Sequence, residues 1–401
     1  MTTEGMHAMT DWGLIDPGAA DTTGTDDDAV LAAMVEVERA LIRAWGSVLG
    51  ERFDAAAEVL EVASLDRSAL RHGVARDGVP VVALVRGLQA QLSAAGFDTA
   101  PLHLGATSQD VVDTALMLVA RDALRETRTQ LVEAGHELAT LAERERRSPR
   151  IARSLARHAE ASTLGVLAAG WLDGVASAVL AIDAVVFPVQ YGGAVGTGTA
   201  ADAAAARGGG VEAVRRELAA RLALTDPERS WHTERTPVLA VASAVAAVIA
   251  ALGRIANDAI LLSREEIGEV RLAGGGASSA MPHKRNPVDA VVITAAATEA
   301  PGLLQVIAST ALAGDERSAG RWHAEWPSQR RLVRLARSAS AATARLLGGL
   351  EFDRDRAAEL LEHAGPAGER PSRDVLAAAS DRIVARAVAR FTRIADQEPH
   401  A

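Results

Sequence analysis

One short stretch of the sequence, residues 274–287, gathers side chains that could do chemistry. It opens with three consecutive glycines, whose backbone N–H groups can approach an anion closely. Lys284 is the only lysine in a chain with 42 basic residues, and all the others are arginine. A compact, strongly hydrated point charge therefore has a specific use here. We interpret the stretch as an anion-handling site, although the glycines alone would also fit a polar loop between helices.

The order of residues in this stretch resembles the signature loop of the fumarase/aspartase superfamily, Gly-Ser-Ser-x-x-Pro-x-Lys-x-Asn. The matching residues are Ser278, Ser279, Pro282, Lys284 and Asn286, with Ala277 where the family has glycine. The resemblance implies that Ser278 is the base that exchanges a proton on the carbon next to a carboxylate. Lys284 and Asn286 would then stabilise the dianion that develops there. By the same resemblance, substrate contacts are expected from Ser279, Met281 and His283.

A second candidate segment, residues 103–114, reads His-Leu-Gly-Ala-Thr-Ser-Gln-Asp-Val-Val-Asp-Thr. Ser108 predicts the N-cap of a helix that runs to about Arg147, with Thr107 and Ser108 at an anion-binding helix N-terminus. An ordinary capping motif would read the same way. The segment also resembles the superfamily pattern His-x-Gly-x-Thr-Ser-x-Asp-x-x-Asp-Thr. That resemblance implies that His103, Thr107 and Ser108 contact substrate carboxylates.

The next predicted element is a helix from Arg150 to about Phe187. Most of the superfamily carries Thr-His-x-Gln here, and that histidine acts as a general acid. The aligned residues in this chain are Ser154, Leu155, Ala156 and Arg157, followed by His158. This pattern resembles the 3-carboxy-cis,cis-muconate cycloisomerase branch, which has its histidine at the later position. The resemblance implies a catalytic role for His158, and a solvated helical histidine is the alternative.

Arg235 precedes a long apolar run, predicted to be a helix from Thr236 to Val270. An arginine at that N-terminus could bind a substrate carboxylate bidentately. Alternatively, it pairs with Glu234 or Glu228. Residues 236–253 carry no charge, and the length of this run is at the lower limit for a membrane span. Because the helical pattern continues through charged residues, we expect a helix buried in a bundle, no membrane partner and a cytoplasmic protein.

Composition excludes several classes of site. The chain has no cysteine, so it cannot form disulfides or thiolate metal sites. The ten histidines show no metal-ligand spacing, so we expect no metal, and the resemblance implies that no cofactor is required. A net charge of −10 argues against nucleic acid as a partner. A small polycarboxylate substrate would therefore need a locally basic pocket.

The elements that position these residues are predicted to be helices. Alanine, leucine, valine and arginine dominate, and only 3% of residues are aromatic, which favours an all-α fold. Thr25 and three aspartates predict the N-cap and first turn of a helix to about Leu49. The resemblance implies three domains, residues 1–102, 103–350 and 351–401, with a central long-helix bundle and a shortened C-terminal domain.

Three predicted helices of 30 or more residues would be rods of about 45–50 Å. Rods with broad apolar faces usually bury them against partner subunits. We therefore expect a homotetramer, with active sites built from three segments of different chains.

The resemblance implies reversible lactonisation of 3-carboxy-cis,cis-muconate, a step of bacterial protocatechuate breakdown in the β-ketoadipate pathway. The alternatives are an adenylosuccinate-lyase-like C–N lyase and a non-catalytic helical oligomer. In amine lyases the leaving group is strongly basic and must be protonated by the family histidine, which a glutamate 13 residues after the base serine polarises. Here Leu155 and Val291 occupy those two positions. Two apolar residues suit a carboxylate leaving group, whose conjugate acid has a pKa of about 4.

Overall fold

The computed structural model describes residues 15–19, 23–205, 209–273, 275–277, 280–281, 283–364 and 372–397. The helices of this part are α1 (Asp27–Leu49), α2 (Asp54–Glu58), α3 (Arg67–Asp77), α4 (Val81–Ala94), α5 (Ser108–Arg144), α6 (Leu164–Asp183), α7 (Thr199–Ala204), α8 (Gly210–Leu222), α9 (Thr236–Leu262), α10 (Val288–Thr310), α11 (Arg321–Gly348), α12 (Arg354–His363) and α13 (Arg373–Ala395). The strands are β1 (Pro149–Ser154), β2 (Arg157–Thr163), β3 (Val270–Leu272) and β4 (Leu350–Phe352). They form two antiparallel ribbons of two strands each, β1–β2 and β3–β4. The predicted all-α class is confirmed, with these two ribbons as additions.

The first helix starts at a different cap from the predicted one. Asp26, rather than Thr25, is the N-cap, and its Oδ1 accepts the N–H of Ala29 at 2.8 Å. Thr25 is fully buried, and its carbonyl accepts hydrogen bonds from Arg330 and Arg334 of α11. A contact across the fold therefore decides which of two adjacent cap formers is used.

The buried apolar side chains form two cores. The first core packs α1 and α4 against the start of α5, residues 189–191 and α8. The second core is the bundle formed by the rest of α5 with α6, α9, α10, α11 and α13. Because α5 runs through both cores, its N-terminal turns are held rigidly at the first one. The predicted domain boundaries stay a prediction.

The predicted helix from Arg150 is wrong in its first half. Residues 149–163 form the β1–β2 hairpin, and α6 begins only at Leu164, with Thr163 as its N-cap. The reason is tertiary, because Arg150 and Arg153 both donate to the fully buried carboxylate of Glu269. That contact outweighs the helix propensity of arginine and alanine.

The long helices are also shorter than predicted. Among the described helices only α5, with 37 residues, exceeds 30, whereas α9 has 27 and α11 has 28. The helix predicted to reach Val270 ends at Leu262, and Val270 instead pairs with Phe352 in the β3–β4 ribbon. This ribbon forms the stem from which residues 274–287 begin.

The C-terminal helix α13 packs directly on the central bundle. Phe391 is fully buried and lies over Gly135 of α5, where a Cβ atom would come within 2.1 Å of the phenyl ring. Thr163 and Ser380 also form a buried hydroxyl pair at 2.8 Å, which ties α13 to the hairpin. The shortened C-terminal segment thus contributes to the core that supports the hairpin.

We predict that Gly135→Ala lowers the free energy of unfolding by about 1–3 kcal/mol, because the added methyl group overpacks the core against Phe391. Gly174→Ala on α6 is the control, since its Cβ would meet Ala251 at an ordinary 3.8 Å. Urea denaturation monitored by circular dichroism measures both. Equal stability of the two variants would contradict this packing.

Three described helices, α6, α9 and α10, are long and apolar enough to cross a membrane by length and composition alone. In the single chain, 56%, 56% and 33% of their most apolar windows are buried. Much of α10 therefore presents apolar side chains outside the cores, including Val288, Val291 and Val306. The predictions of no membrane partner and of a cytoplasmic location stay predictions.

Candidate active site

The N-terminus of α5 is built as a capping box. Thr107, rather than the predicted Ser108, is the N-cap, and its N–H donates to Asp110 Oδ2 at 2.9 Å. Ser108 is the first helical residue. Both hydroxyl residues are partly exposed at the start of a 37-residue helix. This arrangement suits an anion, because free N–H groups and the helix dipole point toward it.

Asp110 joins two distant segments to this helix start. Its carboxylate accepts the backbone N–H groups of Gly192 and Gly193 at 3.1 and 3.0 Å. It also lies 2.7 Å from Nε2 of the buried His232. Gly193 has a φ of 70°, and a Cβ atom there would lie 2.9 Å from the carbonyl oxygen of Gly105. The backbone at Gly193 can therefore approach the segment just before α5 only because this residue lacks a side chain.

Arg235 lies beside this cluster, but its partners differ from both predicted interpretations. It is buried and forms ion pairs with Asp113 at 2.7 Å and Glu325 at 2.6 Å, instead of with Glu234 or Glu228. Burial lowers the pKa of Arg235, but the charges of Asp113 and Glu325 and the hydrogen bonds to them raise it by more. The pKa of Arg235 therefore lies above its ordinary value. Burial also raises the pKa of Glu325, even though Arg235 opposes that shift.

All five N–H groups of the Arg235 guanidinium are engaged within the chain. Nε and one Nη2 proton face Glu325, and the remaining protons face Asp113 and the carbonyl of Trp231. Trp322 adds a further donor to Asp113 at 2.9 Å. In this arrangement Arg235 locks α5, α9 and α11 together and has no donor left for a substrate carboxylate.

Arg317 is a cation that the sequence analysis did not single out. Its Nη2 donates to Thr107 Oγ1 at 2.8 Å and to the carbonyl of Ala194 at 3.0 Å. Its Nε is buried and has no hydrogen-bond partner in the described part of the chain. In the sequence, Arg317 belongs to a charged stretch, Asp315-Glu316-Arg317, which matches no motif considered above. Arg317 places a positive charge beside the predicted carboxylate-binding Thr107.

His103 also faces this region. Its Nδ1 lies 2.6 Å from Glu38 Oε1, and its side chain is 21% exposed. Burial lowers the pKa of His103, but the charge of Glu38 and the hydrogen bond to it outweigh burial and raise the pKa above its ordinary value. The structure thus brings His103, Thr107, Ser108 and Arg317 to one site at the start of α5.

The signature loop is closed at its base by an antiparallel bridge. Gly276 and Asn286 exchange backbone hydrogen bonds of 3.0 and 3.1 Å, and the N–H of Lys284 donates to the carbonyl of Met281. Met281, His283 and Lys284 are exposed. Ser278 and Ser279 lie outside the described residues. Among the residues that are described, neither His283, Lys284 nor Asn286 contacts the α5 site through a hydrogen bond or ion pair.

His158 is exposed on strand β2, rather than on the predicted helix. Leu155 and Ala156 form the hairpin tip with φ values of 47° and 62°, a left-handed conformation that side chains disfavour. Leu155 is 97% exposed. The hairpin therefore projects an apolar tip, followed by Arg157 and His158, away from its own chain.

No group of three or more possible metal ligands occurs among the described residues. The absence of a metal or cofactor from the reaction remains a prediction.

Comparisons with known proteins agree on one group of enzymes. A family model described as Lyase matches residues 48–302. Nitrosuccinate lyase of Streptomyces davaonensis is 40% identical over 375 residues, which cover 90% of this chain and 79% of that protein. The 3-carboxy-cis,cis-muconate cycloisomerase of Pseudomonas aeruginosa is 37% identical over 340 residues, 82% of this chain and 73% of that protein. The crystal structure of 3-carboxy-cis,cis-muconate lactonizing enzyme from Pseudomonas putida has a TM-score of 0.77 and 32% identity, covering 93% of this chain and 87% of that one.

Proposed function

The chain belongs to the fumarase/aspartase superfamily, and from that premise we propose that it interconverts 3-carboxy-cis,cis-muconate and its carboxymuconolactone. In this reaction a proton is exchanged on the carbon next to a carboxylate, and a carboxylate oxygen forms or breaks the lactone C–O bond. The atoms balance without an oxidant or a further reactant. We propose that no cofactor takes part.

The observation that carries this proposal is the apolar character of both positions of the family's acid pair. Leu155 is at the hairpin tip and Val291 is on the first turn of α10, where its side chain is 51% exposed. Neither residue can donate or relay a proton. A leaving carboxylate needs little proton assistance, because its conjugate acid has a pKa of about 4. A leaving amine would need a general acid at this place.

The groups at the start of α5 are suited to bind a substrate with several carboxylates. Arg317, the raised pKa of His103 and the helix N-terminus at Thr107 supply positive potential at one place. The chain as a whole carries a net charge of −10, but the carboxylates of Glu38 and Asp110 at this site are already paired within the chain. Such a cluster would orient an anionic substrate by its carboxylates.

Nitrosuccinate cleavage is a second candidate, favoured by the 40% identity to nitrosuccinate lyase over 90% of this chain. Removal of a proton and of nitrite from nitrosuccinate would leave fumarate. Nitrite, like a carboxylate, is a weakly basic anion, so the apolar pair Leu155 and Val291 would fit this leaving group as well. The two candidates share the base and the carboxylate site, and differ in the substrate.

Purified protein should be incubated separately with 3-carboxy-cis,cis-muconate, nitrosuccinate and adenylosuccinate. We expect loss of the muconate absorbance, with no cleavage of adenylosuccinate. Release of nitrite and fumarate without muconate turnover would select the second candidate. Efficient cleavage of adenylosuccinate would overturn the leaving-group argument, and inactivity toward all three would favour a non-catalytic oligomer.

We propose that the chain acts as a homotetramer. The incompletely buried apolar window of α10 and the exposed tip at Leu155 support this assembly, because apolar surfaces of this kind are usually covered. Subunit contact would also bring the hairpin and the signature loop of one chain to the α5 site of another. Light scattering of the purified protein tests the assembly.

A further inference from the structure

Glu38 of α1 is a carboxylate held inside the first core. Its side chain is 0% exposed, and its only ion-pair partner among the described residues is His103. Oε1 lies 2.6 Å from His103 Nδ1, and Oε2 accepts the backbone N–H of the same residue at 3.2 Å. A buried carboxylate is costly unless a positive charge or several donors face it. The environment of Glu38 therefore favours a charged imidazole.

The backbone of His103 is held in an unfavourable conformation. Its φ is 56°, in the left-handed region that costs a residue with a side chain about 1–2 kcal/mol. Glu38 contacts both the backbone and the ring of His103, so it fixes the conformation and the ring orientation together. Strained residues that are held in this way concentrate at ligand sites.

The protonation of His103 decides what the ring can bind. A neutral ring that donates from Nδ1 to Glu38 would present a lone pair at Nε2, and a lone pair repels a carboxylate. A protonated ring donates from both nitrogens. In the described part of the chain no hydrogen bond is found at Nε2, and the partly exposed ring can donate there to a ligand.

The charged and titratable groups around the ring come from four elements. Glu38 on α1 and Asp110 on α5 both favour the protonated ring. Tyr191 in the glycine-rich segment stays neutral, because burial raises the pKa of its hydroxyl. Arg317, before α11, donates to Thr107 and to the carbonyl of Ala194. Two carboxylates therefore act on the ring, and together they outweigh burial and favour the imidazolium.

We propose that Glu38 is a positioning residue that holds His103 as a two-donor ring and presents its Nε2–H to a carboxylate of the ligand at the start of α5. The identity of that ligand rests on the function proposed above. The Glu38–His103 pair itself does not depend on that function, because the pKa of His103 and its change on mutation of Glu38 can be measured without turnover.

The first test is a titration of His103 by NMR, with histidine labelled at Cε1 and the resonance assigned by comparison with His103→Asn. We expect a pKa above the ordinary value of about 6.5 and a clear fall in Glu38→Gln, which keeps the shape but removes the charge. Glu36→Gln is the matched control on the same helix, where the glutamate side chain is 45% exposed. A pKa at or below 6.5, or no change in Glu38→Gln, would overturn the proposal.

The second test uses tricarballylate, a saturated tricarboxylate, as a probe in calorimetry. Binding should weaken as the pH rises through the folded pKa of His103, because the Nε2 donor loses its charge. In Glu38→Gln this weakening should begin at lower pH, and affinity at pH 7.5 should be about tenfold lower. If a substrate is turned over, KM should rise while kcat changes less than threefold.

The outcomes separate this proposal from the proposed function. An enzyme inactive on muconate whose His103 resonance shifts with tricarballylate would refute the function and support the pair. Turnover of muconate with unchanged KM and probe affinity in Glu38→Gln would refute the pair and leave the function standing. If Glu36→Gln lowers the His103 pKa and the affinity for tricarballylate as much as Glu38→Gln does, the effect belongs to α1 as a whole and the role of Glu38 is refuted.

Discussion

Ser278→Ala is expected to lower kcat about a thousandfold and to leave the circular dichroism spectrum unchanged. The superfamily resemblance makes Ser278 the base, although this residue lies outside the described part of the structure. Serine is a poor base at its ordinary pKa, so its alkoxide needs strong local stabilisation. The bridge between Gly276 and Asn286 closes the loop at its base, and the turn from Met281 to Lys284 brings the only lysine into it. Preorganised donors and a point charge of this kind are typically worth about two to three orders of magnitude in rate.

Ser309→Ala is the matched control for this experiment. Ser309 is exposed on α10, and its hydroxyl donates to the carbonyl of Gln305 in the preceding turn. The control should retain wild-type kcat. Steady-state rates on the substrate that is turned over measure both variants. A Ser278→Ala enzyme with more than a tenth of the wild-type kcat would rule out Ser278 as the base.

The helices were predictable from the sequence because their signals are local. The predicted start of α9 at Thr236 and the predicted end of α1 at Leu49 match the structure, and the predicted end of α5 lies three residues beyond the observed one. The end of α9 was misplaced because Arg264, Glu265 and Glu266 continue the helical pattern. The strand that follows owes its existence to β4, which is about 80 residues further along the chain.

The hairpin at residues 149–163 illustrates the same limit more strongly. Arginine and alanine dominate it and favour a helix when taken alone. The buried carboxylate of Glu269, 116 residues from Arg153, fixes the extended form instead. The tip also uses left-handed Leu155 and Ala156 where a sequence-based prediction would look for asparagine and glycine.

The members of the candidate site were predictable, but their partners were not. His103, Thr107 and Ser108 form a local motif. By contrast, Glu38 lies 65 residues before His103, and Arg317 lies 210 residues after Thr107. No periodicity links residues at such separations. Only the packing of α1 and of the segment before α11 on the start of α5 brings these charges together.

Arg235→Met is expected to destabilise the protein by about 3–5 kcal/mol, because it leaves the carboxylates of Asp113 and Glu325 buried without their cation. Both carboxylates are about 1–2% exposed, so water cannot replace the guanidinium. The loss should depend on pH. Burial already raises the pKa of Glu325, and without Arg235 this carboxyl can remain buried only when protonated. Stability of the variant should therefore fall as the pH rises above about 4.3, the ordinary pKa of glutamate, and level off above the raised folded value.

Urea denaturation at pH 5 and pH 8 measures this effect, with Arg254→Met on the exposed face of α9 as the control. Within the described residues Arg254 makes a single hydrogen bond, to the carbonyl of Gly170, and its removal should change stability by less than about 0.5 kcal/mol. The experiment also separates the two roles considered for Arg235. A residue that locks α5, α9 and α11 together must cost stability when it is removed, whether or not a ligand is present. A residue that binds substrate would instead raise KM and leave unfolding unchanged. If Arg235→Met unfolds like wild type but binds polycarboxylates poorly, Arg235 contacts the substrate and the closed guanidinium in this structure must open to admit it.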